Sequence, residues 1–359
     1  MTGSTADVAT ITTSLRQGLT RLWRFGSNAL VAWTPSATGI EILTVPTIRL
    51  FEQGHLHRRI FAGDRLASRR TFAEIAEALN IQPIEFRLAA PVGASVGEIP
   101  IESVEGTISP FTVTRTEQRA VFLIDIVGFS KLAPEQQASQ LTTMEFALNL
   151  ASEMMNRRGD KVSLHRSTTG DGFYVWNADK GLEADVALFG TMALFLTFIG
   201  SLKRTASSSS VPTVRTCFGI SSHYTYRQPN SDGLLVNEFI VGDVTISLAR
   251  LIDTARANQI LVGGFTRRAD NGGAHGVAEF LELALARLSW MQGFSVLGAT
   301  IDRITLYLTG PRAEDGGFRA QRLRVVDKHG IKHDCFNLKL NVFPSAGEPF
   351  YYGLQHTEL

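Results

Sequence analysis

The chain is poor in cysteine, has no lysine in its first 130 residues and shows no apolar run that reads as long enough to cross a bilayer. Cys217 and Cys335 are the two cysteines in 359 residues. That excludes a disulfide framework and any zinc site built on paired cysteines. Free thiols suit a reducing compartment. The most apolar stretch, VALFGTMALFLTFIG at 186–200, holds 15 residues, short of the roughly 20 that a membrane helix needs. It reads as a buried helix or a subunit contact. The N-terminus, MTGSTADVATITTSLRQGL, has no basic segment followed by an apolar core, so no secretory leader is expected. Net charge is also nearly absent, at +1, so no bulk field draws the chain to nucleic acid or an anionic membrane. The expected setting is cytoplasmic, without nucleic-acid or membrane partners.

What is present is an ordinary globular composition, 44% hydrophobic and 19% charged. Residues 1–115 read as an N-terminal α/β extension. TSLRQGLTRLWRF (13–25) has the pattern of a basic amphipathic helix. SRRTFAEIAEALN (68–80) opens on a capping serine and closes on asparagine, as a second helix would. EILTVPTIRLFEQ (41–53) has strand character, and the Gly, Pro and Ser of 90–110 suggest a connector.

From residue 116 the pattern sharpens. RAVFLIDIV (119–127) reads as a central strand. Residues 133–159 read as a helix with Pro134 in its first turn, Leu141, Met144, Leu148, Ala151 and Met155 on one face, and Gly159 after its end. KVSLHRSTTGDGFYVW (161–176) reads as two strands around a Thr-Gly-Asp-Gly turn. The apolar helix 181–203, a short serine link at 207–210 and a strand in VPTVRTCFGISSHYTY follow. VGDVTISLARLIDTARANQILVG (241–263) reads as helix then strand, and 322–342 as a hairpin turning at 328–330. The order β-α-β-β-α-β predicts an α+β, ferredoxin-like domain over 116–345, with a C-terminal tail at 346–359. That fold hosts many functions, so function must come from the site.

Two strand-tip aspartates supply one. Asp125 ends the first strand, and Asp171 lies in the turn of the later hairpin. A ferredoxin-like sheet sets these strands side by side, so the carboxylates can meet. Such a pair suits Mg²⁺ or Mn²⁺, which take oxygen ligands and retain water or phosphate. The turn IVGFS adds Gly128 and backbone N–H groups at a helix start, which attract phosphate.

FLIDIVGFS, TTGDGFYVW and VGDVTISLARL together resemble, in order and spacing, the catalytic domain of the class III nucleotidyl cyclases. The resemblance spans roughly 118–345 and implies formation of a 3′,5′-cyclic nucleotide from a nucleoside triphosphate. It implies that Asp125 and Asp171 hold two Mn²⁺ or Mg²⁺ ions, with the Ile126 carbonyl as a further ligand. Gly128, Phe129 and Ser130 would cradle the triphosphate. Arg250 would be the catalytic, transition-state arginine, and Lys328, or alternatively Lys332, would bind phosphate. It further implies a homodimer with sites at the interface, which would give the apolar helix 186–200 a use against the partner.

Three positions depart from the family pattern. Purine-selecting members carry Lys or Glu where this chain has Ser167, and often Asp or Cys where it has Phe239. Losing polar partners for a purine edge costs discrimination, and a phenyl ring shrinks the pocket and offers a stacking face. Ile246 stands where the family has a ribose-orienting Asn, with Thr245 or Ser247 as substitutes. These substitutions favour a pyrimidine and resemble the uridylate and cytidylate cyclases of bacterial anti-phage systems, whose product activates a separate effector. UTP is preferred over CTP, with His165 and Arg166 as base donors. The competing readings are an adenylate or guanylate cyclase with atypical base selectors, and a non-catalytic nucleotide-sensing module.

Overall fold

The computed structural model describes residues 5–50, 60–62, 65–95, 98–205, 210–269, 272–296, 299–314 and 316–359. The chain divides into two compact units, one of Met1–Glu117 and Tyr224–Val241, the other of Gln118–His223 and Gly242–Leu359.

The first unit opens with α1 (Thr5–Trp23), which begins well before the helix read from the sequence. Strands β1 (Asn28–Ser36) and β2 (Gly39–Pro46) form an antiparallel hairpin, and β3 (Ile84–Arg87) pairs with β2. The strand expected over 41–53 stops at Pro46. Thr47–Leu50 turn into a short helix, and 51–53 lie outside the described residues. Helix α2 (Arg69–Leu79) starts where expected. The Ser68 hydroxyl accepts the Thr71 N–H at 3.1 Å, and Asn80 closes the helix in the left-handed region.

The expected connector at 90–110 is instead structured. It contains α3 (Ile101–Ile108), whose Val104 and Ile108 pack with Leu15, Leu19 and Trp33 in one hydrophobic cluster. Gly and Pro before Ile101 obscured a helix of only eight residues.

The second unit is built on β4 (Val113–Ile126), α4 (Pro134–Arg157), β5 (Leu164–Thr168), β6 (Gly172–Asn177), α5 (Leu182–Thr205) and β7 (Val214–Pro229). Then come α6 (Asp243–Thr254), β9 (Ile260–Gly263), α7 (Val277–Leu288), β10 (Ala299–Leu308), β11 (Arg322–Val326), β12 (Lys332–Pro344) and β13 (Phe350–Tyr352), while β8 (Leu235–Val241), between β7 and α6 in the chain, belongs to the first unit. The main sheet runs β10-β12-β9-β7-β4-β6-β5. Its β7-β4-β6-β5 segment is the ferredoxin-like arrangement, with the first strand flanked by the fourth and third. The fold is α+β, as the sequence pattern predicts.

Helices α4, α5 and α7 contribute to one core with the sheet. Met144, Leu148, Ala151 and Met155 of α4 are buried there. Helix α5 bears out the buried-helix reading and runs longer than the 15-residue stretch read from the sequence. Leu182–Arg204 is long and apolar enough to cross a membrane, yet 89% of its apolar window is buried inside the protein. It also needs no partner subunit to cover it. Leu188, Phe189, Met192, Phe195 and Phe198 are enclosed within the chain's own core. Of the serine link, 207–209 lie outside the described residues.

Residues 224–241 return to the first unit. Strand β8 pairs antiparallel with the end of β7. Tyr224 and Tyr226 pack against the cluster of Phe61, Leu43 and Phe72.

Candidate functional site

Asp125 stands opposite Gly172 in the β4–β6 ladder. The next backbone N–H, of Ile126, donates to the Asp171 carbonyl at 3.0 Å. The ladder therefore carries the turn that bears Asp171 up to the tip of β4. Two glycines make this possible. Gly170 has φ +100°, a region that costs side-chain-bearing residues. A Cβ on Gly172 would lie 1.8 Å from the Ile124 carbonyl oxygen.

Asp125 is 7% exposed. Its carboxyl is held above the usual carboxylate range. Burial is the largest cause and the neighbouring Asp171 carboxyl adds to it, while Arg215 pulls the other way. Arg215 Nε donates to Asp125 Oδ2 at 2.6 Å, and its Nη1 donates to the Ala255 carbonyl at 3.1 Å. Sequence reasoning passed over Arg215, although a charged residue inside the apolar strand VPTVRTCFGI was a signal.

Gly128 takes φ 74°, ψ 18° and starts a short turn in which the N–H groups of Lys131 and Leu132 donate back to Gly128 and Phe129. The N–H groups of Gly128, Phe129 and Ser130 make no hydrogen bond among the described residues. The long helix α4 begins only at Pro134, so these N–H groups lie in this turn and not at the start of that helix.

On β5, alternation puts His165 and Ser167 on one face and Arg166 on the other. Ser167 pairs opposite Tyr174. His165 stacks on Trp176 at 5.8 Å. Arg166 donates to Asn149 Oδ1 at 2.6 Å and lies 3.7 Å from Glu145, so α4 holds this expected base donor. Phe239, in the first unit, stacks on Tyr226 at 5.6 Å with 10° between the rings.

A second cluster surrounds α6. Thr245 caps this helix, its hydroxyl bonded to the N–H and carbonyl of Gly242 at 3.1 and 3.0 Å, so it is already committed. Ile246 is 51% exposed. Ser247 lines a cavity of about 330 Å³ with Asp243, Ile246, Ile331 and His333. Arg250 Nε lies 3.6 Å from Asp327 Oδ2, and its Nη1 lies 3.8 Å from Asp253. Lys328 is exposed at the turn between β11 and β12, and Lys332 is exposed at the start of β12. Among the described residues no hydrogen bond or ion pair joins Arg250 to Asp125 or Asp171.

Among the described residues no three His, Cys, Asp or Glu side chains gather as a metal cage. The Asp125–Asp171 pair instead suits a cation that completes its shell with a substrate's oxygens.

Solved structures with similar folds include nucleotide cyclase domains. The catalytic core of a rhodopsin-guanylyl cyclase with converted specificity, in complex with ATPαS, is 13% identical, with a TM-score of 0.38 over 65% of this chain and 98% of that one. The guanylate cyclase domain of RhGC from Catenaria anguillulae in complex with GTP is 13% identical, with a TM-score of 0.38 over 64% and 98%. The adenylyl cyclase CyaB from P. aeruginosa is 14% identical, with a TM-score of 0.35 over 65% and 97%. No family model and no curated protein matches the sequence.

Proposed function

We propose that this protein is a metal-dependent nucleotide cyclase of the class III type, with a pyrimidine triphosphate as substrate and UTP ahead of CTP. The observation that carries this is the pairing of Asp125 and Asp171 at the tips of neighbouring strands. Burial and mutual repulsion raise the Asp125 carboxyl even with Arg215 attached. Such a pair is stabilised by divalent cations, and the two carboxylates with the Ile126 carbonyl offer the hard oxygens that Mn²⁺ or Mg²⁺ prefer. When bound, two such ions would lower the pKa of the ribose 3′-hydroxyl and neutralise phosphate charge.

The chain's own residues supply the rest. The uncommitted N–H groups of Gly128, Phe129 and Ser130 receive phosphate oxygens. Arg215, a planar cation at the same corner, offers its remaining donors to the triphosphate. Arg250 meets charge developing on the α-phosphate, and Lys328 holds the departing pyrophosphate. Within one chain Arg250 is bonded to neither aspartate, which suits a homodimer with each site completed by the second copy. Ser167 and Phe239 leave a purine edge without charged partners, which supports a smaller base. The product would act as a second messenger on a separate effector in anti-phage defence, the role suggested by the resemblance to bacterial pyrimidine cyclases.

Incubating the purified protein with each of ATP, GTP, UTP and CTP and Mn²⁺ tests this. Formation of cUMP or cCMP is expected. Formation of cAMP or cGMP alone replaces the pyrimidine reading with a purine cyclase. Nucleotide binding without turnover supports a sensor module, which the exposed Ile246 and the committed Thr245 hydroxyl favour.

A further inference from the structure

The arginine that the proposed reaction needs lies beside a carboxylate with no assigned role. Asp327 opens the turn between β11 and β12, and its side chain is 2% exposed. Oδ1 accepts the backbone N–H groups of His329 at 2.8 Å and Ile331 at 2.9 Å. Those two bonds fix the plane of the carboxylate. Oδ2 is left facing two side-chain nitrogens, Arg250 Nε at 3.6 Å and His333 Nε2 at 3.5 Å. The hairpin backbone therefore orients the carboxylate, and the carboxylate lies in ion-pair range of the arginine, whose buried Nε makes no hydrogen bond among the described residues.

We infer that Asp327 is a positioning residue for Arg250, coupling the hairpin that carries Lys328 to the helix that carries the arginine. This rests on the cyclase reading above. A guanidinium is a planar fork whose usefulness depends on which edge it presents. Engaging Arg250 through Nε leaves its Nη2 donors for an incoming anion. Without that contact the side chain samples several rotamers, and ordering it again on substrate costs rate, since small misplacements of a catalytic group are expensive. Because Lys328 follows Asp327 directly, the same turn sets the spacing between the cation for the α-phosphate and the cation for pyrophosphate.

The test is a double-mutant cycle on the full chain with Asp327→Asn, Arg250→Gln and the combination. Asparagine keeps an oxygen for the two backbone N–H groups but removes the charge. Two readouts are taken. In thermal unfolding, which needs no activity, the double variant should melt no lower than the less stable single variant, because both lose the same pair. In turnover of the best triphosphate, Asp327→Asn should lower kcat at least tenfold with KM within threefold, and should cost nothing further in the Arg250→Gln background. Additive unfolding shifts would show that the residues are not paired. Unchanged or raised kcat in Asp327→Asn would show that the carboxylate does not position the arginine for catalysis. A wild-type protein inert toward all four triphosphates overturns the cyclase reading and the catalytic part of this inference with it. The unfolding cycle then decides the pairing separately.

Discussion

Arg215 donates its Nε to Asp125 at 2.6 Å, so one carboxylate of the strand-tip pair already has a counter-charge from the protein. Replacing Arg215 with glutamine leaves Asp125 and Asp171 to repel each other unopposed. Adding Mn²⁺ should then raise the melting temperature of Arg215→Gln more than that of the wild type, since a ligand stabilises by its affinity for the folded state. Differential scanning fluorimetry with and without Mn²⁺ measures this. An equal or smaller rise would show that Arg215 does not compensate the pair.

Asp171→Asn should lose turnover while keeping its fold. Removing this carboxyl also lets Asp125 fall back toward the ordinary range, so stability without metal should be unchanged or slightly higher. That is the usual exchange between stability and a strained functional site. Chelation by EDTA should silence the wild type, and Mn²⁺ should restore it. Circular dichroism alongside product assay separates the two effects, and a variant that turns over normally would remove Asp171 from the site.

Gly172→Ala should be costly for a steric reason. The added carbon would sit 1.8 Å from the Ile124 carbonyl oxygen, so β4 and β6 must part beside Asp125. Overpacking of this kind costs about 1–3 kcal/mol. Urea unfolding should report that loss, and metal binding should weaken with it. Wild-type stability in Gly172→Ala would mean that the strands accommodate the methyl group.

The β11–β12 hairpin should add to acid sensitivity. Asp327 is held below its usual range: burial opposes this, but the N–H groups of Ile331 and His329 and the His333 side chain outweigh it. Arg324 does the same for Asp334, bonded at 2.8 Å. With folded-state pKa values below those of the unfolded chain, this stabilisation is complete above about pH 4 and is lost as the pH falls through the lower folded values. Asp327→Asn should therefore show a shallower loss of stability below pH 4 than the wild type in acid unfolding followed by circular dichroism. Parallel curves would mean that Asp327 contributes nothing there.

Much of this was readable in the chain where local chemistry and pattern agree. Ser68 and Asn80 bracket α2 because capping is a local act. Asp125 stood out because a carboxylate at the end of an apolar strand needs a reason. The β-α-β-β-α-β order gave the neighbourhood of β4 and β6 directly. Helix α3 was missed because it is short and follows Gly and Pro. The Asp125–Arg215 pair joins residues 90 positions apart, which no window along the chain reveals. The use of α5 stayed open between a buried helix and a subunit contact because an apolar face does not say whether the chain itself or a partner will cover it. The stacking of Phe239 on Tyr226 depended on the β7–β8 register, which alternation alone leaves open.

The first unit is discontinuous, and this limits how it can be dissected. Tyr224 and Tyr226 belong to its core, yet they are synthesised about a hundred residues after Glu117. A ribosome that has delivered only the opening segment has not yet made everything that segment packs against. Cutting after residue 117 would yield an incomplete body and strip the remainder's β7–β8 hairpin of its packing. The role of this unit is therefore better probed by point changes in place than by deletion.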